Sequence, residues 1–201
     1  EKSRLADELM TVIARLAAEH PELEIDLVLD ARRLDFIEDD LDLAVREGPL
    51  PDSSLTARKL ATSAVGLYAA PAYLTRRRLP RRLEDLAQHD VLSVPASGPA
   101  SDLRALRGRN GKRLGLVPRI RVNDLLALAD LAERGTGTAI LPDYAAAPAL
   151  ARRALVPVLP RTTLTHMPIH VVYPGRRHLP RRVQVVLEAL AAGASGGSAR
   201  V

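Results

Sequence analysis

Cysteine is absent from the 201 residues. Disulfides, thiolate metal sites and cysteine nucleophiles are therefore excluded, and nothing in the chain reports its redox compartment. Tryptophan is absent as well, and the aromatic set is Phe36, Tyr68, Tyr73, Tyr144 and Tyr173. So few rings cannot make a platform on which successive bases stack. No apolar run reaches membrane-spanning length and no leader peptide opens the chain, which makes the cytoplasm the expected location. P-loop, G-x-S-x-G and G-x-G-x-x-G motifs are all missing; Gly135 and Gly137 stand before a strand, the wrong context for a phosphate loop. No nucleophile–base pair can be assembled, so the chain is not expected to be an enzyme, and no cofactor is implied. His166 and His170 alone stand four apart. Pro168 and the strand-like run after it argue against the helix that would align them on a metal, so no metal site is expected.

What is present is an apolar fraction of 47% and a net charge of +5. The length allows a sizeable core in one or two lobes. The excess charge is arginine, in short clusters such as Arg76–Arg78, Arg81–Arg82 and Arg181–Arg182. A nucleic-acid surface is one reading and a solvated surface the other; the scarcity of aromatics favours the second.

Residues 119–142 organise the rest. Ile120 and Val122 alternate with arginines, as in a half-buried strand. Asn123 or Asp124 stands where a helix N-cap belongs. Leu125, Leu128, Ala129 and Ala132 then recur at helical spacing, and Gly135 supplies the positive φ on which many helices end. Residues 138–141 read as a buried parallel strand, stopped by Pro142. The amino end of the helix should open at the carboxyl edge of the sheet, where ligands of open α/β sheets bind. Elsewhere the periodicity predicts helices over 4–19, 71–77, 83–88, 143–151 and 180–192. It predicts strands over 23–29, 41–45, 65–70, 91–94, 114–117, 155–159 and 169–173. A helical turn or two is expected within 30–39, loops over 48–54 and 95–112, and a frayed Gly/Ser/Ala tail over 193–201. Such alternation argues for α/β with mostly parallel sheets.

In order along the chain, HPELEIDLVL, DFIEDDLDLAVREGPLPDSSLTARKL, YAAPAYL, LPRRLEDLAQHDVL, RVNDLLALADLAERGTGTAILPDY, ALVPVLP and IHVVYPGRRHLPRRVQVVLEAL resemble the effector-binding domain of LysR-type transcriptional regulators. The resemblance covers residues 20–190. It implies two Rossmann-like lobes, of the type II periplasmic-binding-protein kind, joined by two crossover segments near 60–67 and 155–160. Lobe I would hold 1–60 and 161–192, lobe II 61–160. The chain opens on a helix where such a lobe opens on a strand, so a portion ahead of Glu1 is expected. A small effector would bind in a cleft between the lobes. DNA would be bound only through an amino-terminal helix-turn-helix domain that this chain does not contain. Homodimers or tetramers are implied, helix 4–19 of one subunit packing against helix 125–134 of the other through Leu9, Val12, Leu16 and Leu128. A second reading is a solute-binding protein of an ABC-type transporter, which shares the two-lobe architecture.

Each candidate ligand residue carries two readings. Asn123 and Asp124 bind effector or cap the helix. Arg46 holds an effector carboxylate bidentately, or pairs with Asp42, Glu47 or Asp124. Thr136 reaches the ligand, or sits in a turn required by its flanking glycines. Ser3 and Asp30 are ligands or caps; Ser97 and Ser101 lie in an unassigned loop, and Pro142 closes the strand. The helix amides and Arg46 together suggest an organic acid or other small anion as effector.

Overall fold

The computed structural model describes residues 4–29, 36, 38–50, 54–95, 103, 106–108, 111–175 and 179–197. Its elements in chain order are α1 (Arg4–Glu19), β1 (Ala44–Glu47), β2 (Leu55–Ala69), α2 (Pro71–Arg76), a 3-10 helix (Leu83–Gln88), β3 (Val91–Ser93) and β4 (Ile120–Arg121). Then come α3 (Leu125–Glu133), β5 (Thr138–Pro142), α4 (Asp143–Ala151), β6 (Val156–Val158), β7 (Thr165–Pro174) and α5 (Arg181–Gly197). They fall into two compact units: unit 1 holds Glu1–Arg4 and Ala64–Thr165, and unit 2 holds Leu5–Ser63 with His166–Val201. Beyond the first turn of α1 the chain changes unit twice, once along β2 and once at the start of β7.

In unit 1, β5 and β4 flank β3 and both run parallel to it, while β2 joins β5 antiparallel with Val65 opposite Pro142 and Ala69 opposite Thr138. β6 pairs antiparallel with the end of β2. The sheet is thus mixed. The parallel pairs come from the strand–helix–strand unit, and the strands that carry the chain between units add antiparallel ones. Both faces are covered. Successive side chains of a strand point to opposite faces, so Tyr68, Leu92, Ala139 and Leu141 join Leu128, Ala132, Ala145 and Ala149 of α3 and α4. Leu67, Ala69, Val91 and Val158 face Leu86, Leu103 and Leu116 on the other side.

In unit 2, β1 runs antiparallel to β7, pairing Val45 with Val171. Val12 and Leu16 of α1 close over Val171 together with Val183, Leu187 and Leu190 of α5. The two helices touch so closely that a Cβ on Gly193 would stand 2.8 Å from a Val12 methyl.

Three expectations are corrected. Residues 23–29 form no strand. Ile25 packs on the unit 2 core, but Leu27, Val28 and Leu29 are 40, 50 and 77% exposed and no described strand pairs with them. Alternation names the face a strand would bury; it does not supply the neighbouring backbone that a ladder needs. Residues 114–117 are not a strand either: Leu116 is buried, Gly115 takes φ +59°, and that break in the extended backbone makes the segment an anchored loop. The tail beyond 192 is helical as far as Gly197. The helical turn expected within 30–39 falls largely outside the described residues.

Candidate functional site

The carboxyl edge of the unit 1 sheet is formed where β3 ends at Ser93, β4 ends at Arg121 and β5 ends at Pro142. Two helices begin there. α3 is capped by Asp124, whose Oδ1 accepts from the Ala127 amide at 2.7 Å. α4 follows Pro142, whose fixed φ suits a helix start, and no side chain caps it. Asn123 and Asp124 are both exposed at this edge. Of the two residues proposed as cap, Asp124 therefore does the capping and Asn123 keeps its amide toward solvent.

The first acid of α4, Asp143, is also exposed. Its Oδ1 accepts from the Tyr68 hydroxyl at 2.5 Å. The Tyr68 ring lies back along β2 over Gly66, where a Cβ would come within 2.9 Å of the hydroxyl oxygen. Gly66 thus leaves the lane through which Tyr68 reaches the edge. Burial, and then the hydrogen bond that the hydroxyl donates to Asp143, hold the Tyr68 phenol well above its ordinary value of 10.0. A raised phenol keeps its contribution to stability in full below the unfolded value. It loses it as pH climbs beyond about 10, because the unfolded chain then releases the proton first. The Tyr68→Phe variant is expected to melt lower than the parent at neutral pH, and the gap should narrow in alkali. Melting curves from neutral pH upward check this; a gap that stays constant would detach the bond from titration.

The anion argument changes here. The positive end of α3 is met by the Asp124 carboxylate, and Asp143 stands at the start of α4. The α3 amides are already answered by a fixed carboxylate, and at α4 the Asp143 charge opposes an incoming anion. Arg46, the other support, lies within β1 rather than after it, opposite His170 of β7, and is itself engaged in a polar interaction. Asp42, one partner suggested for it, sits beside Arg182 at 3.3 Å.

Thr136 is corrected outright. It precedes β5 and so lies at the amino edge, the opposite end of the sheet from Asn123 and Pro142. Its hydroxyl donates to the Leu131 carbonyl at 2.7 Å, and its amide reaches the same oxygen. With Gly135 at φ +74° donating to Ala132, this is a Schellman stop for α3, and the threonine belongs to it. Ser3, Asp30, Ser97 and Ser101 lie outside the described residues.

The interface residues are corrected too. Val12, Leu16 and Leu128 are 7, 1 and 0% exposed, buried in the cores of their own units, and Leu9 packs against the same cluster as Val12. Val12, Leu16 and Leu128 have no surface to give a partner, while Leu9 is half-buried. The large apolar side chain that α3 does expose is Leu126, 41% accessible.

Sequence reasoning did not single out the pocket at the amino edge. Tyr73, Arg76, Arg77, Asp90, Arg119, Ile120, Gly135 and Thr136 line a recess of about 300 Å³. Arg119 lies 2.9 Å and Arg77 3.6 Å from the two oxygens of Asp90, and Arg76 donates to the Gly135 carbonyl at 2.9 Å. Tyr73 accepts from the Asp90 amide at 3.0 Å and meets His89 Nδ1 at 3.1 Å. Burial, then the neighbouring Arg77, lowers the His89 pKa and so favours the uncharged ring. Arg119 looks unrelated to the Arg76–Arg77 pair along the chain. Only the shared amino edge of parallel strands brings them together. Among the described residues no cluster of histidine and acidic side chains could hold a metal ion.

Two lobes on mixed α/β sheets, with helix starts gathered at a carboxyl edge, define a ligand-binding regulatory or solute-binding class. Residues 6–195 match the LysR substrate binding domain family, and the chain belongs to it. It is 33% identical over 166 residues to an HTH-type transcriptional regulator of Haemophilus influenzae, covering 83% of this chain and 58% of that protein. It is 31% identical over 184 residues to the transcriptional activator AaeR of Escherichia coli, covering 90% of this chain and 59% of the relative. The chain thus spans less than two thirds of the length of these curated relatives. The regulatory domain of CrgA, a LysR-type regulator from Neisseria meningitidis, superimposes with a TM-score of 0.78 at 26% identity, covering 92% of this chain and 90% of that one. The longer CrgA structure gives 0.80 at 28% identity, covering 92% of this chain and 63% of that one. The transporter reading receives no support from these relatives, which are regulators.

Proposed function

We infer that this chain is the effector-sensing part of a LysR-type transcriptional regulator, its two units being the two lobes. The whole protein would bind DNA through a helix-turn-helix domain and work as a homodimer or tetramer in the cytoplasm. The observation that carries the sensing role is the carboxyl edge of unit 1, where Asn123 is exposed just ahead of the start of α3 and Tyr68 and Asp143 are locked together at the start of α4. A small organic effector seated there meets an amide, a helix start and two carboxylates. An effector bringing hydroxyl or amine donors suits that edge; the proposed group for an organic acid is Arg46, which belongs to β1 of unit 2. Binding would act by unequal affinity for two arrangements of the protein. Neither catalysis nor a cofactor enters this reading. The dimer contact is placed on the exposed side of α3, around Leu126, in place of the buried residues.

A thermal-shift panel of organic acids, neutral hydroxylated compounds and amines tests the site. A compound that raises the melting temperature should lose its effect in Asn123→Ala and Asp143→Ala. Hits that survive both substitutions would move the site elsewhere. Hits confined to acids and abolished by Arg46→Ala would restore the anionic class.

A further inference from the structure

We propose that the amino-edge recess of unit 1 is a second small-molecule site, distinct from the effector edge, that takes a small oxyanion such as a phosphate or a di- or tricarboxylate. Guanidinium groups from separate elements converge on it: Arg76 and Arg77 from the end of α2, and Arg119 from the start of β4. One carboxylate, Asp90, faces them. Among the lining residues three arginines, Arg76, Arg77 and Arg119, stand against the single carboxylate of Asp90. The recess is therefore left with more cation than the protein neutralises.

The groups are also held in place. Asp90 is fixed through its backbone, its amide donating to Tyr73 and its carbonyl accepting from Thr138 at 2.8 Å. Its side chain in turn positions Arg77 and Arg119 at the rim, where they are 53 and 65% exposed. A guanidinium carries five N–H donors, so a contact to one Asp90 oxygen leaves most of each fork available to a second oxyanion. Arg76 answers the Gly135 carbonyl and so covers the negative end of α3, which would otherwise repel such a ligand. The volume, about 300 Å³, stands at the small end of ligand pockets. A concave recess of that size fits a compact anion better than the flat run of phosphates along a nucleic-acid backbone.

The test is calorimetric titration of the whole 201-residue chain with inorganic phosphate and, separately, citrate. Ionic strength is matched with sodium chloride, so that screening alone gives no signal. Saturable one-to-one binding of at least one anion is expected, weakened about ten-fold or more in Arg77→Gln/Arg119→Gln, since both lost groups make charge-assisted hydrogen bonds. Both positions are exposed, so the fold should tolerate the change; an unaltered circular dichroism melt confirms it. Should the double variant unfold, each single substitution is titrated instead, and either one must weaken binding. Asn123→Ala must leave the anion affinity unchanged, which separates this site from the effector edge. Absence of saturable binding overturns the proposal, as does equal affinity in the arginine variants. Binding of duplex DNA without binding of either free anion overturns it as well, in favour of a backbone contact.

Discussion

Gly137→Ala is expected to destabilise the protein by about 3 kcal/mol, the upper part of the range for inserting a methyl group into packed structure. A Cβ at this position would stand 2.3 Å from the Asp90 carbonyl oxygen and 3.1 Å from a Leu92 methyl. The first of these contacts is backbone and has nowhere to move. Asp90 O accepts from the Thr138 amide, and Val91 pairs with Thr138 in the parallel ladder. Admitting the methyl therefore means parting β3 from β5 at the centre of the unit 1 sheet. Chemical denaturation at neutral pH measures the loss. A variant as stable as the parent would show that the β3–β5 ladder is looser than its geometry.

Leu128→Ala is expected to cost about 2–5 kcal/mol, the range for a fully buried leucine whose cavity cannot collapse. Leu128 is 0% exposed and sits under Leu92, Ala139 and Leu141, with alanines 145, 146 and 149 of α4 alongside. Alanine side chains have no further length with which to fill the gap, which places the expectation toward the upper half. The same substitution should leave the unit 2 cluster around Leu16 and Val171 intact, since Leu128 has no part in it. Urea unfolding gives the size of the effect. Protection of unit 2 amides from hydrogen exchange shows whether the damage is local.

These glycine and leucine positions also show what the sequence discloses. Helical spacing from Leu125 to Ala132 and the glycine after it located α3 and its stop, because both are local signals. The pair Gly135 and Gly137 looked like one turn requirement. Gly135 meets it with a positive φ, whereas Gly137 is demanded by a carbonyl 47 positions earlier in the chain, a contact no window of residues contains. An apolar stripe on a helix is similarly silent about what covers it. Val12, Leu16 and Leu128 fit a subunit contact and their own core equally well until the neighbouring elements are in place. Thr136 failed for a topological reason: in a parallel unit the residue after a helix lies at the opposite sheet edge from the residue before it. Of the site itself, Asn123, Asp124 and Pro142 were legible as the junctions of strand and helix. Tyr68 was not, since its hydroxyl reaches Asp143 across 75 positions through the space that Gly66 leaves open.

Tyr68, on Asp143, and Tyr73, between Asp90 and His89, stand near opposite ends of the unit 1 sheet. With no tryptophan to outshine them, the native ultraviolet emission of this chain comes from four tyrosines alone. Each edge of the lobe thus carries a tyrosine whose hydroxyl is part of its hydrogen bonding. Occupancy at either end can be followed optically, without a dye or a tag, and Tyr68→Phe or Tyr73→Phe assigns the signal to its edge.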